Sequence, residues 1–345
     1  MARCPTVTAP PPPSAAAGYR VLRDEFKRAG WLDGDPGWYA WRLLGLALLL
    51  AASVFLVANA PGALQLCLSA LLLAFAFVQT GFVAHDAQHG QILRQRWARR
   101  RLSLLAWNLL TGISQGWWQD RHVRHHLQPN VEGMDPDLYP MLTYSREQAL
   151  RRRGLPRLIA RHQRLFYLPL LACTAFYFRG LSLAWLLKQR PRAWVLELAL
   201  LALHHAIYYG LLLYFLSPAA ALGFVLLNHV ATGWYMGAVF SSNHSAMPLA
   251  RPGRQFLSQL HSTRNVATGR FGDFLFGGLN YQIEHHLFPL MPRSRLRQAS
   301  AQVQDFCARH ALPYHRCSLR DTWQAIAADL HDTGAPLRAG GRRPC

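Results

Sequence analysis

Charged residues and cysteines are scarce for a chain of 345 residues. Only 16% of the residues are charged, which is low for a water-soluble domain. The six cysteines form no CxxC pair, so the sequence indicates neither a disulfide framework nor an iron–sulfur cluster and suits a reducing compartment. Acidic residues are few, with 17 Asp and Glu against 37 Lys and Arg. These basic residues lie between long apolar runs rather than on a soluble face, so we expect no nucleic-acid partner.

Four apolar runs are long enough to cross a bilayer, which takes about 20 residues as a helix. The runs occupy about 39–60, 63–83, 193–216 and 219–240. Tight turns at Pro61 and Ser217 join them into two hairpins. Neither turn contains Lys or Arg, so the positive-inside rule predicts that both termini and the histidine motifs are cytoplasmic. The expected fold is an all-α, multi-pass integral membrane protein with four transmembrane helices and a cytoplasmic histidine-rich helical cap.

The ends of the chain differ from its central domain, which we place at 38–300. Within residues 1–37, the proline-rich segment 1–17 predicts a disordered leader. Residues 19–31 show helical apolar spacing among charges, which indicates an amphipathic helix on the membrane surface or an ordinary docking helix. Residues 301–345 are expected to form a cytoplasmic C-terminal segment with a disordered tail.

Two apolar segments between the hairpins do not fit a simple crossing. Residues 102–113 are too short to span and are expected to lie along the membrane interface. Residues 165–187 are interrupted by Arg179 and Gly180. A crossing there would put the last histidine motif on the opposite side from the others, so we expect an interfacial or re-entrant segment.

Histidines cluster at three places just beyond the apolar runs. Residues at i, i+3 and i+4 share one helical face, and imidazole is the commonest ligand for borderline first-row metals. Taken alone, HVRHH could be a solvated basic patch, but with His244 the clusters supply eight candidate ligands and no carboxylate. This set suits two metal ions better than one. The clusters are His85 and His89 in HDAQH, His122, His125 and His126 in HVRHH, and Gln282, His285 and His286 in QIEHH.

Polar residues beside these motifs can orient the free ring nitrogens of the ligands. Asp86, Asn280 and Glu284 are adjacent to candidate ligands, although Asp86 and Glu284 could equally form surface ion pairs. Asp135 and Asp137 lie in the turn-rich segment PNVEGMDPDLYP. They could also orient imidazoles, but the context favours a role in turns.

The three motifs, in this order and spacing, resemble the membrane-bound fatty acid desaturase superfamily. GGLNYQIEHHLFP is similar to the front-end type, whose third histidine box begins with glutamine. The resemblance implies a non-haem di-iron centre that uses O2 and two electrons to insert a cis double bond into an acyl chain. It further implies that the seven box histidines bind iron, that His244 is an additional ligand, and that Gln282 is a weaker one.

The resemblance also implies a substrate and an electron donor. The substrate would be an acyl lipid or acyl-CoA, held dry beside the metal. The His-Pro-Gly-Gly motif of a fused cytochrome b5 domain does not occur in the sequence, so we expect a separate donor, either ferredoxin or cytochrome b5 with its reductase. Each aromatic residue near the motifs is more commonly a packing residue than a substrate contact. Together, the residues expected to line a substrate tunnel are Trp117, Trp118, Trp234, Tyr235 and Phe240.

Other functions remain open from the residues alone. A hydroxylase, an epoxygenase or a sphingolipid desaturase could use the same iron centre. HDAQH has Asp where the HExxH motif of zinc hydrolases has its general-base Glu, and eight histidines are too many for one zinc. A metal transporter would place its ligands within the spans rather than beyond them.

Overall fold

The computed structural model describes residues 13–60, 62–138, 140–252 and 255–339, and most of them are helical. Two three-residue strands, β1 (Asn265–Ala267) and β2 (Arg316–Ser318), pair in parallel and are the exception to the all-α expectation. The helices in chain order are α1 (Pro13–Arg28), α2 (Pro36–Ala58), α3 (Ala63–His89), α4 (Arg96–Leu104), the π-helix π1 (Leu105–Thr111), α5 (Gln115–Leu127), α6 (Arg146–Arg151), α7 (Gly154–Arg161), α8 (Gln163–Ala172), α9 (Thr174–Gln189), α10 (Trp194–Phe215), α11 (Pro218–His244), α12 (Gln255–His261), α13 (Arg270–Leu275), α14 (Gln282–Leu287), α15 (Arg293–Arg309) and α16 (Leu319–Arg338).

Three helices, α2, α3 and α10, are long and apolar enough to cross a membrane. Helices α8 and α9 together reach the same hydropathy but are bent by 65°, as in a broken span or a re-entrant loop. The fourth predicted span, α11, is long enough but is not among the three apolar helices, because its middle carries the buried polar residues Asn228, His229 and Thr232. Asn228 binds the backbone carbonyl of Ala70 at 3.0 Å and the hydroxyl of Tyr208 at 3.0 Å. The protein interior thus accommodates this polarity.

Helix α3 lies at the centre of the bundle. In its most apolar stretch 56% of the residues are buried, compared with 17% for α2 and 22% for α10. It packs against α2, α4, π1 and α11, whereas α2 and α10 expose leucine and phenylalanine side chains such as Leu48 and Phe55. Lipid is the solvent that suits these outward faces.

The segment expected at the membrane interface, 102–113, instead enters the bundle. Trp107 and Asn108 are buried, and π1 ends at Gly112, which has a φ of +70° and lies against the ring of His204. A Cβ at this position would come within 2.5 Å of that ring. The segment packs against α3 and α10, while Leu105 and Leu110 remain 45% and 37% exposed.

Helix α1 corrects the expectation for the N-terminal region. It begins at Pro13, so residues 13–17 are helical rather than disordered, while residues 1–12 lie outside the described residues. Its Leu22 and Phe26 are buried in one cluster with Phe288, and Tyr19 donates to the carbonyl of Leu287 at 2.7 Å. The apolar face therefore packs against protein, as in a docking helix. At the other end, α16 continues to Arg338, and the predicted disordered tail falls on residues 340–345, outside the described part of the chain.

Candidate metal centre

Four helix segments carry the predicted histidines to one place. Helix α3 ends at His89, where Gly90 closes it with a φ of +78°, and α11 ends at His244. Because glycine takes a positive φ without steric cost, α3 can stop directly after its second histidine. Helix α5 is preceded by the N-cap residue Ser114, whose side chain accepts a hydrogen bond from the backbone N–H of Trp117. The residues carried are His85 and His89 on α3, His122, His125 and His126 on α5, His244 on α11, and His285 and His286 on α14.

Five imidazoles form the first histidine group, with ligand nitrogens within 4.8 Å of one another. The Nε2 atoms of His89 and His122 are 2.7 Å apart, and those of His126 and His285 are 3.1 Å apart. A protein zinc site usually holds four ligands or fewer, so five imidazoles exceed what one zinc needs. The members are His85, His89, His122, His126 and His285.

The second histidine group consists of His125, His244 and His286. The Nε2 atoms of His125 and His244 are 3.2 Å apart. Gln282 joins this group, since its amide nitrogen lies 3.0 Å from His244 Nε2 while its oxygen accepts from Asn243 at 3.1 Å. All nine predicted ligand positions therefore come together, although the Gln282 oxygen is already engaged.

Hydrogen bonds determine which ring nitrogen is available to a ligand. His85 Nδ1 lies 3.0 Å from Asp86 Oδ1, and His244 Nδ1 lies 3.1 Å from the carbonyl oxygen of Ser262. Because both partners only accept, each Nδ1 carries the proton and donates it, which leaves the Nε2 lone pair free.

Two further rings follow the same pattern. His125 Nδ1 donates to both oxygens of Asp135 at 3.1 Å, and His286 Nδ1 donates to the side-chain oxygen of Gln259. Within the described residues, the buried Nε2 of His286 has no hydrogen-bond partner. Lone pairs crowded together in this way repel one another unless a cation lies between them. The donor set therefore fits metal ions bound through Nε2.

Burial and crowding keep most of these imidazoles neutral, as metal ligation requires. Burial and then repulsion from neighbouring imidazoles hold the pKa of four rings well below the usual range. Burial also lowers the pKa of His125, but the carboxylates of Asp135 and Asp137 outweigh it and raise that pKa to about 9. Carboxylates that favour a proton on His125 equally favour a metal cation on its Nε2. The four rings with lowered pKa are those of His122, His126, His285 and His286.

Of the three polar residues predicted to orient imidazoles, Asp86 is the one that contacts a ring. Besides binding His85, it accepts a hydrogen bond from Tyr39 at 2.8 Å and is paired with the buried guanidinium of Arg293. It is 2% exposed, which rules out a surface ion pair. The expectation for Asn280 was wrong, because its amide donates to the carboxylate of Asp273 on α13.

Glu284 also does not orient a ligand. It precedes His285 on α14 and therefore points about 100° away around the helix. Its carboxylate accepts from Asn265 at 2.7 Å and from Tyr314 at 2.9 Å. Burial raises its pKa to about 7, although these hydrogen bonds favour the charged form. Glu284 thus fastens α14 to the small sheet rather than to the metal centre.

Asp135 orients an imidazole, although its turn-rich sequence context favoured a role in turns. It accepts hydrogen bonds from the backbone N–H groups of Asn130 at 2.7 Å and Asp137 at 2.8 Å. Asp135 therefore both orders the turn and contacts His125. Gln259 and Ser262 were not predicted at all. They precede the third histidine box by about 20 residues in a stretch with no ligand spacing, so only the tertiary structure reveals them.

An apolar space adjoins the histidine groups. Two neighbouring cavities of about 90 and 30 Å³ share His85, Trp118, Phe240 and Leu279 among their lining residues. We call this pair the apolar cavity. The ring of Trp118 stacks on that of His122 at 5.4 Å. Two of the five predicted tunnel residues, Trp118 and Phe240, therefore line the apolar cavity.

The other three predicted tunnel residues do not line the apolar cavity. Trp117 is buried among core side chains and packs against Phe178 at 5.2 Å. Trp234 is 49% exposed. Tyr235 donates its hydroxyl to the carbonyl of Leu275 at 2.6 Å. Neighbours in sequence such as Trp117 and Trp118 face different ways because a helix rotates them by about 100°.

Comparison with known proteins gives a consistent result. Residues 61–318 match the model of the family described as fatty acid desaturase. The chain is 29% identical over 325 residues to the acyl-lipid (9-3)-desaturase of Physcomitrium patens, covering 90% of this chain and 61% of that protein. It is 32% identical over 328 residues to the Delta(8)-fatty-acid desaturase of Euglena gracilis, covering 88% and 76%. It is also 32% identical over 270 residues to the Delta(6)-fatty-acid desaturase of Caenorhabditis elegans, covering 71% and 60%.

Proposed function

The chain belongs to the fatty acid desaturase family, and we propose that it inserts a cis double bond into a fatty acyl chain at a non-haem di-iron centre. The observation that carries this proposal is the meeting of eight imidazoles beside an apolar cavity. This arrangement offers a metal site and a dry space for an acyl chain in direct contact.

The two histidine groups suggest how two iron ions would be held. The first group would bind one ion and the second group the other, with Gln282 a weaker candidate ligand beside His244. Bound iron would supply the O2-dependent oxidation of a methylene C–H bond that no side-chain acid or base can perform. Histidine suits this task because it binds as a neutral ligand.

The residues around the ligands have separate tasks. Asp86, Asp135 and Gln259 hold the Nδ1 protons of their histidines and thereby keep the Nε2 atoms aimed at the metals. Trp118 and Phe240 form the wall shared by the two parts of the apolar cavity and exclude water from the acyl chain.

The position of the metal centre also supports a membrane topology. His125 and His244 lie in one histidine group, so the chain between them crosses the membrane an even number of times. Helices α10 and α11 form a hairpin that would supply two crossings, and the bent pair α8–α9 is then re-entrant. With the arginine-rich segments on the histidine side, the positive-inside rule makes that side cytoplasmic.

The substrate and donor are proposed by analogy with the family. The acyl chain would arrive as an acyl lipid or acyl-CoA, and the two electrons would come from a separate ferredoxin or from cytochrome b5 with its reductase. Oxygen insertion by a hydroxylase or epoxygenase is not favoured, because the relatives named above are desaturases. A sphingolipid desaturase differs only in substrate.

The proposal is tested by expressing the chain with an electron donor and profiling cellular lipids by mass spectrometry. We expect an acyl product that has lost two hydrogens, and its absence with His126→Ala. His331→Ala is the control, because His331 is exposed on α16 and belongs to neither histidine group. A product that has gained oxygen, or full activity of His126→Ala, would contradict the proposal.

A further inference from the structure

A second large cleft, lined by arginine, lies beside the metal centre. It has a volume of about 800 Å³ and is bounded by α4, the start of α5 and the α9–α10 turn. Four of its arginines are exposed, with Arg99 half-buried. We call it the arginine cleft, and its arginines are Arg96, Arg99, Arg100, Arg101 and Arg192.

The arginine cleft has an uncompensated positive charge. Its single lining carboxylate, Glu197, already accepts from Ser114 Oγ at 2.7 Å and from the backbone N–H of Gly116 at 3.1 Å. Among the described residues, no carboxylate forms an ion pair with any of the five arginines. A cleft of this kind attracts an acidic partner over a long range.

The arginine cleft approaches the helix segments that carry the first histidine group. Gln88, the residue before the ligand His89, lines it. The guanidinium of Arg99 lies against the residue after that ligand, since a Cβ on Gly90 would be 3.1 Å from Arg99 Nη1. Gln119 also lines the cleft, three residues before His122 on the same face of α5. Side chains close in sequence to the candidate ligands His89 and His122 therefore form part of the cleft wall.

The arginine cleft is separate from the apolar cavity. The two share no lining residue. The apolar cavity is lined by the candidate ligands His85, His122, His125 and His244 and extends towards α8, α9 and α11, whereas the cleft is lined by Gln88 and by none of the histidines. A lipid whose anionic headgroup bound in the cleft would therefore have no route by which its acyl chain could enter the cavity. The reaction component that must approach the metal centre without entering the cavity is the electron donor.

We propose that the arginine cleft is the docking surface for a small acidic electron-carrier protein, whose electrons enter at the edge formed by Gln88 and His89. The inference rests on the proposed function. Electron tunnelling falls off steeply with distance, so docking where residues close to candidate ligands form the wall is favoured. O2 is reduced to two water molecules by four electrons, two from the carrier and two from the acyl chain. Two of the four protons come from solvent, and the other two come from the acyl hydrogens.

The test compares two triple charge reversals in full-length protein reconstituted in nanodiscs of neutral lipid. The cleft variant is Arg96→Glu/Arg100→Glu/Arg192→Glu, which leaves Arg99 in place beside the ligand. The control is Arg146→Glu/Arg309→Glu/Arg320→Glu, three exposed arginines outside the cleft with the same change in net charge. Turnover is measured against ferredoxin and against the soluble domain of cytochrome b5, each with its reductase. Iron content and single turnover after dithionite reduction are measured in parallel.

We expect the cleft variant to raise the KM for the carrier about tenfold or more and the control about twofold or less. Iron content and dithionite-driven single turnover should be unchanged. Equal KM values for the two variants, or no saturable use of either carrier by the wild type, would overturn the proposed docking surface. So would a cleft variant that keeps its KM but loses binding to phosphatidylglycerol vesicles, because the cleft would then be a lipid contact. Wild-type protein that gives no product even with dithionite would overturn the desaturase function itself.

Discussion

Replacing Asp135 with asparagine tests how the protein holds its second histidine group. Asp135 is buried, and both of its carboxylate oxygens accept a hydrogen bond from His125 Nδ1 at 3.1 Å. Asparagine keeps the size and one acceptor oxygen, so it retains one of the two backbone N–H bonds by which Asp135 orders the turn. It removes the negative charge that stabilises a cation on His125. Loss of such a partner typically lowers metal affinity about 10- to 100-fold, or about 1.4 to 2.8 kcal/mol.

The assay is competition for iron between the purified protein and a chromogenic chelator. Glu284→Gln is the matched control, because Glu284 is also a buried carboxylate beside a ligand in sequence but contacts Asn265 and Tyr314 instead of a histidine. We expect the control to bind iron within about twofold of the wild type. Equal losses in the two variants, or an unchanged affinity of Asp135→Asn, would refute the assignment of Asp135.

Three further predictions concern stability. The folded-state pKa of Glu284 is raised to about 7 from 4.5. The stability of the wild type should therefore fall by up to about 3 kcal/mol as pH rises from 4.5 to 7, because Glu284 loses its proton less readily in the folded state. The melting temperature of Glu284→Gln should depend less on pH. Tyr39→Phe removes the hydroxyl that donates to Asp86 at 2.8 Å and should cost about 1 to 2 kcal/mol in thermal melts. Gly112→Ala forces a Cβ to within 2.5 Å of the His204 ring at a φ of +70° and should cost about 1 to 3 kcal/mol, seen as reduced yield of monodisperse protein.

Helical spacing was sufficient to predict which histidines share a face. His122, His125 and His126 could be placed on one face because i, i+3 and i+4 positions coincide on a helix, and the structure confirms that they meet the other motifs. His244 could be added because it follows an apolar run on the same side. Local periodicity fixes such positions before any tertiary contact is known.

The surroundings of the ligands could not be predicted in the same way. Glu284 is next to His285 yet faces the small sheet, whereas Asp135 is ten residues from His125 and contacts it. A helix turns adjacent residues apart, and a loop can return a distant residue to the same place. Adjacency in sequence is therefore a poor guide to which carboxylate touches a ring.

Hydropathy likewise identified three spanning helices and missed the character of two other segments. Helix α11 carries Asn228 and His229 in its middle, which the interior accepts through hydrogen bonds to Tyr208 and to backbone. Residues 102–113 are too short to span but are long enough to insert between α3 and α10. In both cases burial against protein, rather than length or mean hydropathy, decides the position.

The central claim is that two groups of histidines hold two iron ions. The most direct measurement is the iron content per chain of purified, iron-supplied protein by plasma mass spectrometry. The account predicts about two ions for the wild type and about one for His244→Ala, which removes a ligand from the second group alone. A single ion or none in the wild type, or the same content in both proteins, would contradict it.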